Sequence, residues 1–327
     1  MKFIDLHCDT LMNTFLYKQD DMYEMEGMVD FKRMKDAGQL AQFFAMYMLS
    51  PDVKRFEPEA EFDEVSDEDY IARLSETLAK NLTMYEDIIA FARNADEMLK
   101  NEQDGKMSAF LTIEDGRSVN GSMDNLARYY GMGVRLISFT WNYANCFGWP
   151  NSDDAEIMGK GLTDFGREAI GYMNSAGMLI DVSHLSDGGF WDVARISTRP
   201  FVASHSNCRA VCPHRRNLTD DMIKVVADKG GVIGMNFAPI FLGPDPKCQD
   251  STVEMMSEHI RHMIKVGGTD VIALGSDLDG ISGNLEVPDI SRMYMVFDKL
   301  AEDGVVYGTI EKLAYRNAQR VIEDCLA

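Results

Sequence analysis

Eight short apolar runs, each too brief for a buried helix and most followed by a stretch of helical periodicity, set the strongest limit on how this chain can fold. They cover residues 3–6, 41–48 (AQFFAMYM), 107–113, 133–140, 178–182, 200–203, 231–237 and 271–275. Near-continuous apolar strands are what parallel pairing demands when both sheet faces are covered. The helical stretches carry their own punctuation. Gly177 follows the stripe over 165–176, Thr219 stands ready to cap 219–228, and Ser251-Thr252-Val253-Glu254 has the form of a capping box. A count of eight selects a closed (β/α)8 TIM barrel over an open sheet. No linker, repeat or low-complexity tract interrupts the alternation, so the expected organisation is one barrel domain over 1–327 with extra helices at its C-terminal end, 290–301 and 309–326. The pattern also predicts a loop-like acidic segment over 51–69 and one helix from residue 70 to about 100.

Charge and cysteine usage narrow the setting. A net charge of −21 argues against nucleic acid and anionic membrane as partners. The six cysteines show no Cys-x-x-Cys pair, as expected of free thiols rather than a disulfide framework. The N-terminal residues run straight into the first strand without a leader-like apolar region, and no apolar span reaches bilayer length. The expected location is cytoplasmic.

A parallel barrel makes one demand of the polar residues: chemistry belongs at the C-terminal strand ends. His7 and Asp9 close the first run, in Asp5-Leu6-His7-Cys8-Asp9-Thr10, and in a strand two residues apart they would leave the same face. Glu114 closes the third run, His184 the fifth, His205 the sixth and Asp277 the eighth. Each has an ordinary alternative: Glu114 as a helix-start carboxylate, His184 and His205 as core histidines, Asp277 and Asp279 as turn residues. Jointly, three of the chain's six histidines fall on one rim. Three His, one Asp and one Glu suit two zinc-class ions with the glutamate bridging, and a metal pair can clamp a bridging hydroxide beside a polarised carbonyl. Asp277 then fits a proton shuttle. His259 and His262 lie on an outer helix as expected surface residues, and His214 sits in the loop after the sixth run, within possible reach of substrate.

These residues resemble a family. His7-x-Asp9, Ile113-Glu114-Asp115-Gly116, Asp181-Val182-Ser183-His184, Ser204-His205-Ser206, Arg215-Arg216-Asn217-Leu218 and Gly275-Ser276-Asp277-Leu278-Asp279-Gly280 occur in the order found in the membrane (renal) dipeptidases and their soluble bacterial relatives. The resemblance spans nearly the whole chain. It implies that His7, Asp9 and Glu114 hold one zinc, that Glu114, His184 and His205 hold the other, and that Asp277 is the acid/base group. It implies that Arg216 binds the C-terminal carboxylate of a dipeptide, as a planar guanidinium does bidentately. Salt bridges to Asp220 or Asp221 are the ordinary role for Arg216, and Arg215 is an alternative for the carboxylate. The resemblance further implies tolerance of a C-terminal D-residue, hence dipeptides derived from peptidoglycan; a homodimer is compatible with it. The chain departs from the family after the fourth run, where Trp141 stands in place of a histidine that contacts the scissile carbonyl. That role is open between Trp141, Asn142, Asn145 and the metals. Two other functions fit the same rim: another metal-dependent amidohydrolase or phosphoesterase, and a non-catalytic metal-binding relative.

Overall fold

The computed structural model of the protein describes residues 1–326 apart from 57–59, 61, 63, 64 and 246. Eight parallel strands close on themselves: β1 Phe3–Cys8, β2 Gln39–Tyr47, β3 Met107–Glu114, β4 Val134–Ser138, β5 Leu179–Asp181, β6 Val202–Ala203, β7 Val232–Met235 and β8 Ile272–Leu274. Neighbours in sequence are neighbours in space, and closure comes where β8 pairs β1 at Asp5↔Leu274. Each strand coincides with one of the eight apolar runs, and the fold is the (β/α)8 barrel that their count requires. Ile4, Leu6, Phe43, Phe110, Leu136, Leu179, Val202, Val232 and Ala273 form one buried cluster drawn from all eight strands, joined by Val321 and Ile322 of the last helix. Phe43 and Phe110 stack there at 4.6 Å. Side chains from every strand converge in this way only inside the barrel.

The longest pairing runs between β2 and β3, from Ala41↔Ser108 to Tyr47↔Glu114. It carries both strands to the rim together and sets Glu114 beside Tyr47. Around the barrel, helices start on side-chain caps. Thr163 accepts from the Gly166 N–H ahead of Asp164–Ala176, Ser186 from Gly189 ahead of Asp187–Ile196, and Thr219 from Met222 ahead of Asp220–Asp228. Gly177 ends its helix at φ 76°, the left-handed conformation that glycine adopts without a Cβ penalty.

Three local expectations change. The stretch 70–100 is two helices, Asp67–Met84 and Ala95–Gln103, separated by an edge strand Ile89–Phe91 that pairs with Met107–Ala109. Asn94 breaks the periodicity by capping the second helix through Glu97 N–H. Within the acidic segment 51–69, Val53–Phe56 is a short helix, while 57–59, 61, 63 and 64 lie outside the described residues. The cap of Val253–Gly267 is Thr252, whose hydroxyl accepts from Met255 N–H, one residue later than the capping box places it.

Candidate metal centre

The polar strand ends converge. His7 Nε2 lies 3.4 Å from Glu114 Oε2, 3.5 Å from Asp9 Oδ2 and 3.7 Å from Asp277 Oδ1. On the other side of Glu114, Oε1 lies 3.1 Å from His184 Nε2 and 3.4 Å from His205 Nε2, and those two ring nitrogens face each other at 3.0 Å. Glu114 therefore offers one oxygen to His7 and the other to His184 and His205. His7, Asp9, Glu114, His184 and His205 are buried, and Asp277 is partly buried. Asp9 reaches the site from an unexpected place. β1 stops at Cys8, and Asp9 is the residue before helix Thr10–Leu16, so His7 and Asp9 meet through a turn rather than by strand alternation. The register of β1 on β2 also shifts between Asp5 and Cys8.

The donor set fits divalent metal. Neither nitrogen of His7 and not Oδ1 of Asp9 has a hydrogen-bond partner, although all are buried. Unpaired buried polar atoms are costly unless a ligand satisfies them. Three carboxylates meet one imidazole here, and His7, Glu114 and His205, like His7, Asp9 and Asp277, offer ligand atoms within 4.8 Å of one another. Charge is distributed unevenly. Burial works against charge on His7, but Glu114 and Asp9 outweigh it and hold its pKa well above the ordinary value. Burial pushes His184 down to about 4, with Arg216 adding to the effect, and burial together with His7 holds His205 well below its usual range. Those two rings are neutral at pH 7 and ready to donate a lone pair. Burial raises Asp9 to about 8 and Asp277 to about 6, with Glu114 contributing to both.

These shifts give the metal-free chain a pH signature. Above about pH 7 the depressed histidines contribute little to the pH dependence of stability, because the unfolded chain has lost most of its histidine protons, whereas folded His7 and Asp9 still hold protons that the unfolded chain has lost. The folded state then binds more protons, so stability falls as pH rises. One such proton corresponds to about 1.4 kcal/mol per pH unit, or about 2 °C in Tm for a chain of this size. Chelator-treated protein should lose that much per pH unit between about pH 7 and 8, and divalent metal should abolish the loss by replacing the protons. A chelator-treated Tm that holds steady or rises over that window would contradict the charge distribution.

Backbone strain gathers at the same rim. His184, Asp277, Asp279 and Asp115 all sit at φ between 64° and 69° without being glycine. Such conformations cost on the order of 1–3 kcal/mol each and persist where the surroundings over-determine them. The surroundings do so here. Asp5 accepts from Ser276 N–H at 2.8 Å and Ser276 Oγ at 2.7 Å, fixing the residue before Asp277. Asn236 Nδ2 donates to Asp277 Oδ2 at 2.8 Å. Asp279 accepts from Thr10 Oγ1 and Met28 N–H, each at 2.6 Å. A Cβ on Gly280 would fall 2.1 Å from Asp9 Oδ2, so only glycine allows that approach. Asp5 and Asn236 are site-building residues that strand-end reasoning does not single out, and Asp279 shows in the sequence only as a turn residue. A carboxylate inside the apolar run Phe3-Ile4-Asp5-Leu6 is the one visible signal.

The residues expected around the metals separate into different surroundings. Arg216 is buried, donating to Ser206 Oγ and His205 O at 3.2 Å each, and lies over Phe241 at 5.3 Å. Its Nε has no partner, and no carboxylate lies within ion-pair distance among the described residues. Asp220 pairs instead with His262, and Asp221 with Lys224. Arg215 is on the surface with Asp153. Trp141 packs edge-on against Tyr47 at 5.1 Å and lies 6.0 Å from His184, while Asn142 Oδ1 is 3.4 Å from His184 Nδ1. Asn145 is committed to its loop, donating to Asp115 and to Phe139 O. His214 accepts from Arg216 N–H. His259 is not a surface residue: it is fully buried, bonded to Cys208 N–H and Leu242 O at 3.0 Å each.

A family model described as membrane dipeptidase (peptidase family M19) matches residues 1–326. The chain belongs to that family. It is a metallo-dipeptidase by membership, and a metal is part of the family's chemistry. The crystal structure of "dipeptidase AC", a metallo peptidase of M19, superposes with a TM-score of 0.89 at 26% identity, covering 100% of this chain and 99% of that one. A metallo peptidase from Rhodobacter sphaeroides, liganded with a phosphinate mimic of the dipeptide L-Ala-D-Ala, gives a TM-score of 0.90 at 27% identity over 99% of each chain. Among curated proteins, dipeptidase tcpJ of Claviceps purpurea is 27% identical over 94% of this chain and 72% of its own length. Among the described residues no helix of this M19 chain is long and apolar enough to cross a membrane.

Proposed function

We propose that this M19 protein hydrolyses dipeptides with two zinc ions held at the barrel rim. His7, Asp9 and Glu114 would hold one ion, and Glu114, His184 and His205 the other. The observation that carries this is the division of Glu114, one oxygen toward His7 and the other toward His184 and His205. Bound zinc would supply Lewis acidity at the scissile carbonyl and a water of lowered pKa.

The chain's own groups do the rest. Arg216, buried and without a carboxylate partner among the described residues, receives the substrate's C-terminal carboxylate bidentately; its fixed depth then sets the length of peptide that fits. Asp277, steadied by Asn236, accepts a proton from the attacking water and returns it to the leaving amine nitrogen. Trp141 and Asn142 line the substrate side next to His184, and the indole N–H is a donor for the scissile carbonyl oxygen. The ligand of the Rhodobacter sphaeroides neighbour supports dipeptides with a C-terminal D-residue as substrates. Free cysteines support a reducing, cytoplasmic setting.

A substrate panel tests this. Dipeptides of L,L and L,D configuration, a tripeptide and simple phosphate esters are incubated with the enzyme, with and without added zinc. Zinc-dependent release of amino acids from dipeptides, L-Ala-D-Ala included, is expected. Turnover of phosphate esters without dipeptides would overturn it.

A further inference from the structure

Behind His205, away from Glu114, lies a fully buried polar chain that the proposed hydrolysis does not use. Asp181, at the end of β5, is surrounded by donors: Ser183 N–H at 2.9 Å and Ser204 N–H at 2.8 Å reach Oδ1, while Ser204 Oγ at 2.6 Å and the Ser138 hydroxyl reach Oδ2. Ser204 Oγ is also 2.8 Å from His205 Nδ1. Ser138, Asp181, Ser183, Ser204 and His205 have no solvent exposure.

The protons in this chain have one consistent arrangement. A carboxylate facing four donors acts as acceptor only. The single Ser204 proton is therefore spent on Asp181, and Ser204 Oγ must accept the proton of His205 Nδ1. That leaves Nε2 of His205 unprotonated, 3.4 Å from Glu114 Oε1. We propose that Asp181 is a positioning residue which, through the Ser204 hydroxyl, locks His205 in its Nδ1–H form with the Nε2 lone pair aimed into the metal centre. The proposal rests on the reading of His205 as a zinc ligand. Ligand histidines owe orientation and basicity to such outer partners, and losing one typically costs 10- to 100-fold in metal affinity.

Three variants separate a relay from general support of the core. Ser204→Ala removes the link and should weaken zinc binding about 10- to 100-fold. Asp181→Asn goes further. Its amide oxygen would be held by the two backbone N–H groups, so its NH2 would face the serine hydroxyls. Ser204 would then donate to Nδ1, driving His205 to the Nε2–H form. Ser138→Ala removes a donor to Asp181 without touching the link, and should change zinc affinity by less than about threefold. Zinc affinity is read by competition with a chromophoric chelator, the ring tautomer by 15N shifts of labelled histidine in the zinc-free chain, and folding by circular dichroism. The expected result is a zinc-binding wild type with Nδ1–H His205, a weakened Ser204→Ala and an inverted tautomer in Asp181→Asn. Equal losses in Ser204→Ala and Ser138→Ala, or an Nε2–H His205 in the wild type, would overturn the relay. A wild type that binds no zinc would instead remove the reading beneath it. If Ser204→Ala and Asp181→Asn fail to fold, the wild-type tautomer alone still decides.

Discussion

Asp277→Asn should lower kcat for dipeptide hydrolysis by about 10²- to 10⁴-fold, the range that a positioned general acid/base contributes. The substitution isolates that role. Asparagine keeps the side-chain size, tolerates the left-handed backbone found at φ 64°, and still accepts from Asn236 through its amide oxygen. Its amide cannot take a proton from water. Asp277 is not counted among the ligands of either zinc, so zinc content should match the wild type. A variant with wild-type kcat would move the proton shuttle to another group. A variant that loses zinc in proportion to activity would make Asp277 a ligand.

Glu114→Gln should be more damaging, because it strikes both halves of the centre. A glutamine side chain has one acceptor oxygen and an NH2 group, so it can face only one histidine set as a ligand. Zinc should fall from two per chain to one or fewer. Loss of a metal's charge stabilisation is worth several kcal/mol, on the order of 10³-fold or more in rate. The variant should still fold, since glutamine keeps the side-chain size and the backbone pairing of this residue with Tyr47 and Ser138. Two tightly held zinc ions with turnover within tenfold of wild type would show that Glu114 is not shared.

How much of this was legible in the sequence follows from what each feature depends on. The eight barrel strands show because strands buried on both faces must be apolar along their length. The edge strand Ile89–Phe91 does not, because Tyr85, Ile88, Ile89 and Ala92 also satisfy a helical spacing, and only pairing with Met107–Ala109 decides between the two. His7, Asp9, Glu114, His184, His205 and Asp277 are visible because a parallel barrel brings all strand ends to one rim, whatever the details of each turn. Asp9 reaches the rim from a helix start, so convergence is a property of the fold rather than of strand alternation. The supporting layer is far less visible. Asn236 and Ser204 act through register, which no local pattern encodes, and Asp279 shows only as a turn residue. Asp5 and Asp181 leave one trace, a carboxylate inside an apolar strand, and that trace alone does not name their serine partners. His259 looks like a surface residue of an amphipathic helix until its two backbone partners, Cys208 and Leu242, come from loops far along the chain.

The central claim is that the rim works as a pair of metal sites joined by Glu114. The most direct measurement is a zinc titration of chelator-stripped protein with L-Ala-D-Ala turnover followed at each step. Turnover should be absent from stripped protein, rise with added zinc and level off at two equivalents per chain. Full turnover in the stripped chain, a plateau at one equivalent, or no turnover at any loading would contradict it.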